Sequence, residues 1–220
     1  MKKRILSIFL VVVMLSTMIP VLSISSFGLT SGDFEYEILD DGTVEITKYR
    51  GSASYLVVTE KIGRYIVSSL GESSFRDCKT LIEVIISDGI YEIGNSAFRN
   101  CASLESVIIP NSITSIGGYA FFDCISLLNV AIPNNIKTIS THAFCGCTSL
   151  TSVELGESVT EIYSYAFDYC ISLSNITIPN SMEKIGAEAF KNCISLTDVE
   201  FLGSKEQWSG IEIKGGNGCL

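Results

Sequence analysis

The chain has 220 residues, 47% of them hydrophobic, 10% aromatic and only 18% charged, which is ample material for a core and excludes a disordered or linker protein. Its 24 acidic residues outnumber its 15 basic ones, so neither nucleic acid nor an anionic membrane surface is an electrostatically favoured partner. A periodic pattern through most of the length points to one elongated body rather than two globular domains.

Residues 1–23 read as an export signal. Lys2, Lys3 and Arg4 form a basic start, Ile5 to Met18 an apolar run, and Val21-Leu22-Ser23 a small-residue cleavage site. The run is shorter than the about 20 residues that span a bilayer and contains Ser16 and Thr17, so cleavage is expected, with no membrane insertion afterwards. Its loss leaves 12 basic against 24 acidic residues, a net charge of −12, which favours a soluble monomer outside the cell. Residues 24–32, small and polar, are expected to form a mobile linker.

Residues 33–66 hold two pairs of alternating segments. Phe34, Tyr36 and Ile38 precede the Asp40-Asp41-Gly42 turn, and Val44 and Ile46 follow it, which predicts a β-hairpin. Tyr55 to Val58 and Tyr65 to Val67, around Ile62-Gly63-Arg64, predict a second. Together they make an N-terminal cap, because the first coil of a stacked array otherwise exposes its core and strand edges. The two aspartates suggest no calcium site, since the rest of such a loop is absent.

Residues 67–202 carry an unbroken frame. Cys78, Cys101, Cys124, Cys147, Cys170 and Cys193 recur every 23 residues. Three positions before each stands Phe75, Phe98, Phe121, Phe144, Phe167 or Phe190, and three after each Leu81, Leu104, Leu127, Leu150, Leu173 or Leu196. This period falls within the about 20 to 29 residues of leucine-rich repeats and predicts a solenoid whose coils bury their apolar faces on one another. The fold class is thus an α/β repeat solenoid. Each coil supplies one strand to a short parallel sheet, a second extended piece, and a short helical or 3₁₀ turn carrying Phe and Cys inward. Ala97, Ala120, Ala143, Ala166 and Ala189 leave room beside the Phe column. Thr80, Ser103, Ser126, Ser149, Ser172 and Ser195 are expected to satisfy backbone groups between coils. Residues 203–220 form a C-terminal cap and tail, with Trp208 over the open core and a loose stretch from Gly215.

The frame LxxVxIPxxIxxIGxxAFxxC, fullest at Leu104 to Cys124, resembles the BspA-like leucine-rich repeats of bacteria, and the segments EILDDGTVEITKYRG and FLGSKEQWSGIEI resemble the caps that flank them. The resemblance implies secretion or surface display, and binding to host, cell-surface or matrix proteins. It implies no catalysis. Ser74 in place of Ala, and Ser87 and Gly156 in place of Pro, are local departures.

Chemistry-bearing patterns are sparse. His142, the only histidine, lies in an outward column with no partner at ligand spacing, so neither a metal site nor a Ser/His/Asp arrangement assembles. No cofactor is implied. The ladder cysteines are expected to be free buried thiols, because one strand spacing exceeds the Cβ separation of a disulfide. Cys145 shares its column with Arg99, Phe122, Asp168 and Lys191, so it is expected to face outward, and Cys219 lies in the tail; both are candidates for reactive chemistry. The broadest regular surface is the outer face of the sheet. Its candidate partner-binding residues are Ile85, Ile108, Asn129, Glu154, Asn175, Thr177, Asp198 and Glu200, running from apolar to acidic. Whether the cap covers Ile85 and Ile108 stays open, and Tyr119, Tyr163, Tyr165 and Tyr169 form a second candidate surface. The expected function is protein binding or adhesion through the repeat surface, the alternatives being a purely structural display module or a carbohydrate-binding module.

Overall fold

The computed structural model describes residues 29–220; the export signal and the first part of the linker lie outside the described residues. Within the predicted linker, β1 (Leu29–Ser31) pairs antiparallel with β2 (Phe34–Ile38). β2 and β3 (Val44–Tyr49) form the first predicted hairpin, closed by Gly42 at φ +82°, a conformation that costs glycine little. The second hairpin differs from the prediction. β4 (Tyr55–Val58) pairs in parallel with β7 (Glu83–Ile86), and the hairpin is β5 (Lys61–Ile62) against β6 (Tyr65–Leu70). The reason is burial: this register sets Leu56 beside Val84 and Val58 beside Ile86, and Val58 is fully buried there.

From β7 onward long and short strands alternate. They are β8 (Glu92–Ile93), β9 (Ser106–Ile108), β10 (Ser115–Ile116), β11 (Asn129–Ala131), β12 (Thr138–Ile139), β13 (Ser152–Glu154), β14 (Glu161–Ile162), β15 (Asn175–Ile178), β16 (Lys184–Ile185) and β17 (Asp198–Phe201), then helix α1 (Lys205–Gly210) and β18 (Glu212–Ile213). The long strands make one parallel seven-stranded sheet in the order β17-β15-β13-β11-β9-β7-β4. The coil count is therefore one more than the cysteine spacing shows, because β4 adds a coil out of register. The short strands form a second wall that breaks between β10 and β12. Gly94, Gly117, Tyr163 and Gly186 each donate a backbone N–H to the preceding coil, whereas Ser140 donates its hydroxyl to Ile116 O at 2.6 Å, and the ladder parts there.

The core is the predicted pair of columns, except that Cys78, at the N-terminal end of the thiol column, is half-buried and not fully enclosed as expected. Phe75, Phe98, Phe121, Phe144, Phe167 and Phe190 stack with centroids 4.8–5.4 Å apart, close to the strand spacing that sets their repeat. Tyr49 continues the row into the N-terminal cap, 5.4 Å from Phe75. All eight cysteines are free. From Cys101 to Cys193 each ladder thiol donates to the carbonyl of the phenylalanine 26 residues earlier, at 3.1–3.2 Å. A thiol suits this place because it packs as a small hydrophobe while satisfying a carbonyl at the corner of the coil.

The predicted helical turn is not a helix. Within each coil the Ala-Phe segment lies between two residues with left-handed backbone, such as Ser96 and Asn100 (φ 56° and 60°) or Tyr119 and Asp123 (58° and 56°). Peptide groups then alternate between bonds inside the coil and bonds to the next one: Cys101 N–H donates to Phe98 O, while Phe98 N–H donates to Ala120 O. A helix keeps its bonds internal, and a stack gains by sharing them. Among the described residues the only α-helix is α1, opened by a capping box of Ser204 and Gln207. The Ser/Thr column two places after each cysteine makes no side-chain hydrogen bond among the described residues. Hydroxyls elsewhere bridge the coils instead, including Ser112 to Ile90 O and Ser181 to Val159 O.

Ser74 stands at the head of the buried alanine column, fully buried with no partner for its hydroxyl. Ser74→Ala is expected to stabilise the fold by about 1 to 2 kcal/mol, since it removes a desolvated polar atom at little cost in volume. Thermal denaturation checks this, and an unchanged or lowered midpoint contradicts it.

Candidate functional site: the outer face of the long sheet

Strand alternation divides each long strand into residues that enter the core and residues that face out. The register aligns the outward ones in two rows. Tyr55, Glu83 and Ser106 run on through Asn129, Ser152, Asn175 and Asp198, while Val57, Ile85 and Ile108 lead to Ala131, Glu154, Thr177 and Glu200. All eight predicted site residues therefore lie on this one face. Two that the sequence did not reveal join them, because β4 extends the sheet: Tyr55 is 69% exposed and Val57 52%. Their alternation was visible, but Tyr55 pairs with Glu83, 28 positions on rather than 23, so the repeat frame does not reach them.

The N-terminal cap leaves the apolar end of this face open. Val57, half-buried Ile85 and Ile108 (49% exposed) form a continuous apolar row. The other end is acidic and ordered by hydrogen bonds. Ser152 Oγ and Thr151 Oγ1 donate to Asn129 Oδ1 at 2.6 and 3.2 Å, and Thr177 Oγ1 donates to Glu200 Oε2 at 3.4 Å. The two rows carry Glu83, Glu154, Asp198 and Glu200 and no Lys, Arg or His. Thr177 separates Glu154 from Glu200 by two ladder steps, about 10 Å, which is wider than the roughly 5 Å between the carboxylates of a retaining glycosidase. Beyond the strand ends, a shallow open depression of about 300 Å³ brings Glu154 and Glu157 together with Asn111, Asn134 and Pro133.

On another side of the coil, His142 is not simple exposed surface as the sequence suggested. Its ring lies between Tyr119 and Tyr165 at 4.6 and 4.9 Å, and its Nδ1 is buried without a partner. Burial lowers its basicity, against the opposing pull of Asp168. The Arg99 guanidinium lies over Phe122 and Tyr119, 4.8 and 5.7 Å from their centroids. Tyr119 and Tyr165 thus spend ring faces on His142, though Tyr119 keeps 37% of its surface exposed. Tyr163 and Tyr169 remain exposed.

Neither proposed reactive thiol is poised for chemistry. Cys145 is buried, with 7% exposure, a correction to the outward placement. Its column is half-buried at Arg99 and Phe122, buried at Cys145 and Asp168, and exposed at Lys191. Burial, with Asp168 and Asp123 adding to it, pushes the thiol up to about 12, so no thiolate is present near neutrality. Cys219 donates to Phe190 O at 3.4 Å and is also raised by burial. The stretch from Gly215 is not loose: Asn217 Oδ1 accepts from Phe190 N–H at 3.0 Å, and Glu188 N–H donates to Gly215 O. Among the described residues, no cluster of three or more His, Cys, Asp or Glu could hold a metal ion, and no helix is long and apolar enough to cross a membrane.

Comparison with known proteins agrees with this geometry. The BspA type leucine-rich repeat region matches residues 68–197 in six copies. Among solved structures, a leucine-rich repeat protein of T. pallidum is 27% identical and superposes with a TM-score of 0.77 over 86% of each chain. A leucine-rich repeat protein from Bacteroides capillosus is 24% identical with a TM-score of 0.53, covering 59% of this chain and 99% of its own. The pneumococcal vaccine antigen PcpA is 20% identical with a TM-score of 0.55, over 75% of this chain and 47% of its own. No curated protein matches the sequence.

Proposed function

The chain belongs to the BspA-type leucine-rich repeat family, and from that premise we propose that it is an exported binding protein that holds a protein partner on the outer face of its long sheet. The observation that carries this reading is the uncovered row Val57-Ile85-Ile108, which continues through Ala131 to Glu154, Thr177 and Glu200. Exposed apolar side chains in a continuous row, on a rigid sheet with satisfied polar neighbours, mark an interaction surface. Host, cell-surface and matrix proteins are the partner classes.

The test replaces Ile85 and Ile108 by Ser and Glu154 by Gln together, and measures binding to candidate surface and matrix proteins beside the parent. The account expects binding weakened at least about tenfold, as for a central apolar anchor, with the melting temperature nearly unchanged. A second variant, Tyr163→Ser with Tyr169→Ser, is expected to bind normally. Loss with the tyrosine variant and retention with the sheet variant would place recognition on the other side of the coil.

A further inference from the structure

The last strand of the long sheet has a free edge. β17 pairs with β15 and with no second strand among the described residues. In a parallel ladder, successive residues address opposite neighbours with their backbone groups. The N–H groups of Asp198 and Leu202 turn back to Ser174 O and Ile178 O, so those of Val199 and Phe201 face away from β15. Ile132, which holds the place of Phe201 in an earlier coil, shows what such a group meets inside the stack: it donates to Glu154 O on the next coil at 2.8 Å. Inward side chains are unfinished as well. Val153, Ile176, Leu155 and Ile178 are buried, whereas Val199 and Phe201, which follow them in the same columns, are half-buried and Leu202 is exposed.

The C-terminal cap does not close this end. Trp208 leans on Phe201 with centroids 5.3 Å apart, and an open depression of about 400 Å³ remains at the strand's end, lined by Phe201, Gly203, Ser204, Lys205, Trp208 and Ser209. Natural edge strands are commonly blunted by proline, lysine or an inward charge. β17 has none of these, and its Asp198 and Glu200 both point outward.

We propose that the free edge of β17 docks an extended peptide segment in which basic and apolar residues alternate. The added strand takes up the backbone groups of Val199 and Phe201. Its apolar side chains complete the core over these two residues, and its basic ones face Asp198 and Glu200, which selects for cations across a strand pair. An apolar anchor fits the depression beside Trp208, where Lys205 disfavours a basic one. The same charges disfavour a second copy, whose own Asp198 and Glu200 would meet them. This site shares two residues with the sheet face but does not rest on that face being used.

Trp208 is the only tryptophan and reports directly on the site. A capped six-residue peptide alternating Val and Lys is titrated against the protein while Trp208 emission is followed, beside a Val and Glu peptide of the same length. The expected result is a saturable blue shift with the Val/Lys peptide and at least tenfold weaker binding of the Val/Glu peptide. Val199→Pro removes an edge donor without breaking the ladder to β15, so it is expected to weaken the Val/Lys peptide at least tenfold with an unchanged melting temperature. Should that variant fold poorly, Asp198→Lys with Glu200→Lys is expected to reverse the preference between the two peptides. Absence of a saturable shift, or an unreversed preference, overturns the proposal. So does sedimentation showing a wild-type dimer that Val199→Pro dissociates, which would assign the edge to a second copy.

Discussion

Alkali is expected to unfold this protein steeply, between about pH 9.5 and 11, because the core holds thiols that cannot ionise in place. Burial is the largest cause. It pushes Cys101 and Cys193 up to about 12, and Cys124, Cys147 and Cys170 well above the ordinary thiol range, with neighbouring thiols of the column adding to it. An unfolded cysteine titrates near about 8.5. A folded-state pKa raised above that value contributes stability that is complete below the unfolded pKa and is lost as pH rises toward the folded one. Each such thiol then costs about 1.4 kcal/mol per pH unit above its unfolded pKa. Five together remove roughly 7 kcal/mol per unit, as much as the about 5 to 15 kcal/mol that holds a typical domain. Far-UV circular dichroism against pH measures the transition, and its steepness gives the number of protons released. Replacing Cys124 and Cys147 by Ala is expected to lower that number by about two, which separates the thiols from lysine and tyrosine titration. A fold that persists past pH 11.5, or a slope unaffected by those substitutions, contradicts the account.

Phe121→Ala is expected to be the most damaging single truncation. The ring is fully buried and lies between Phe98 and Phe144 at 5.3 and 5.2 Å, with planes only 5° and 3° from theirs. Removing it opens a cavity costing about 3 to 5 kcal/mol, because rigid coils above and below cannot collapse into it. The loss of two stacked contacts adds about 0.5 to 1.5 kcal/mol for each. A fall in melting temperature on the order of 10 °C follows for a chain of this length. Since each coil is stabilised chiefly by its neighbours, a defect here also weakens coupling between the two halves of the stack. Differential scanning calorimetry is expected to show a broadened or split transition. Phe190→Ala, near the partly open C-terminal end, is expected to cost less and leave the transition single. Equal effects of the two substitutions would mean that the column does not transmit stability along the stack.

The sequence made the interior legible because the solenoid demands identity at fixed spacing. Phe and Cys every 23 positions are what stacked coils of equal length require, and each expected residue occupies its column. Legibility fails where the chain keeps the geometry but loses the register. Tyr55 and Val57 extend the sheet from outside the period, and Cys219 follows Cys193 by 26 residues rather than 23, because the loop carrying α1 intervenes before the last coil returns. It fails again where backbone conformation, not side-chain type, decides. Nothing about Tyr119 or Tyr165, on either side of His142 in one column, announces left-handed φ values of 58° and 60°, since such values are uncommon outside glycine, asparagine, aspartate and histidine. Those values turn a predicted helical turn into an inter-coil ladder, and they bring the three rings into one stack. The candidate face was readable in its columns, whereas its openness depended on where β4 would pair.

Counting reactive thiols in the native protein tests the stacked interior most directly. Brief maleimide labelling at neutral pH, followed by mass spectrometry of the digested chain, is expected to leave Cys101, Cys124, Cys145, Cys147, Cys170 and Cys193 unlabelled and to recover every one as a free thiol after denaturation. Rapid labelling of several of them, or disulfides joining cysteines of neighbouring coils, would contradict an interior built from continuous phenylalanine and thiol columns.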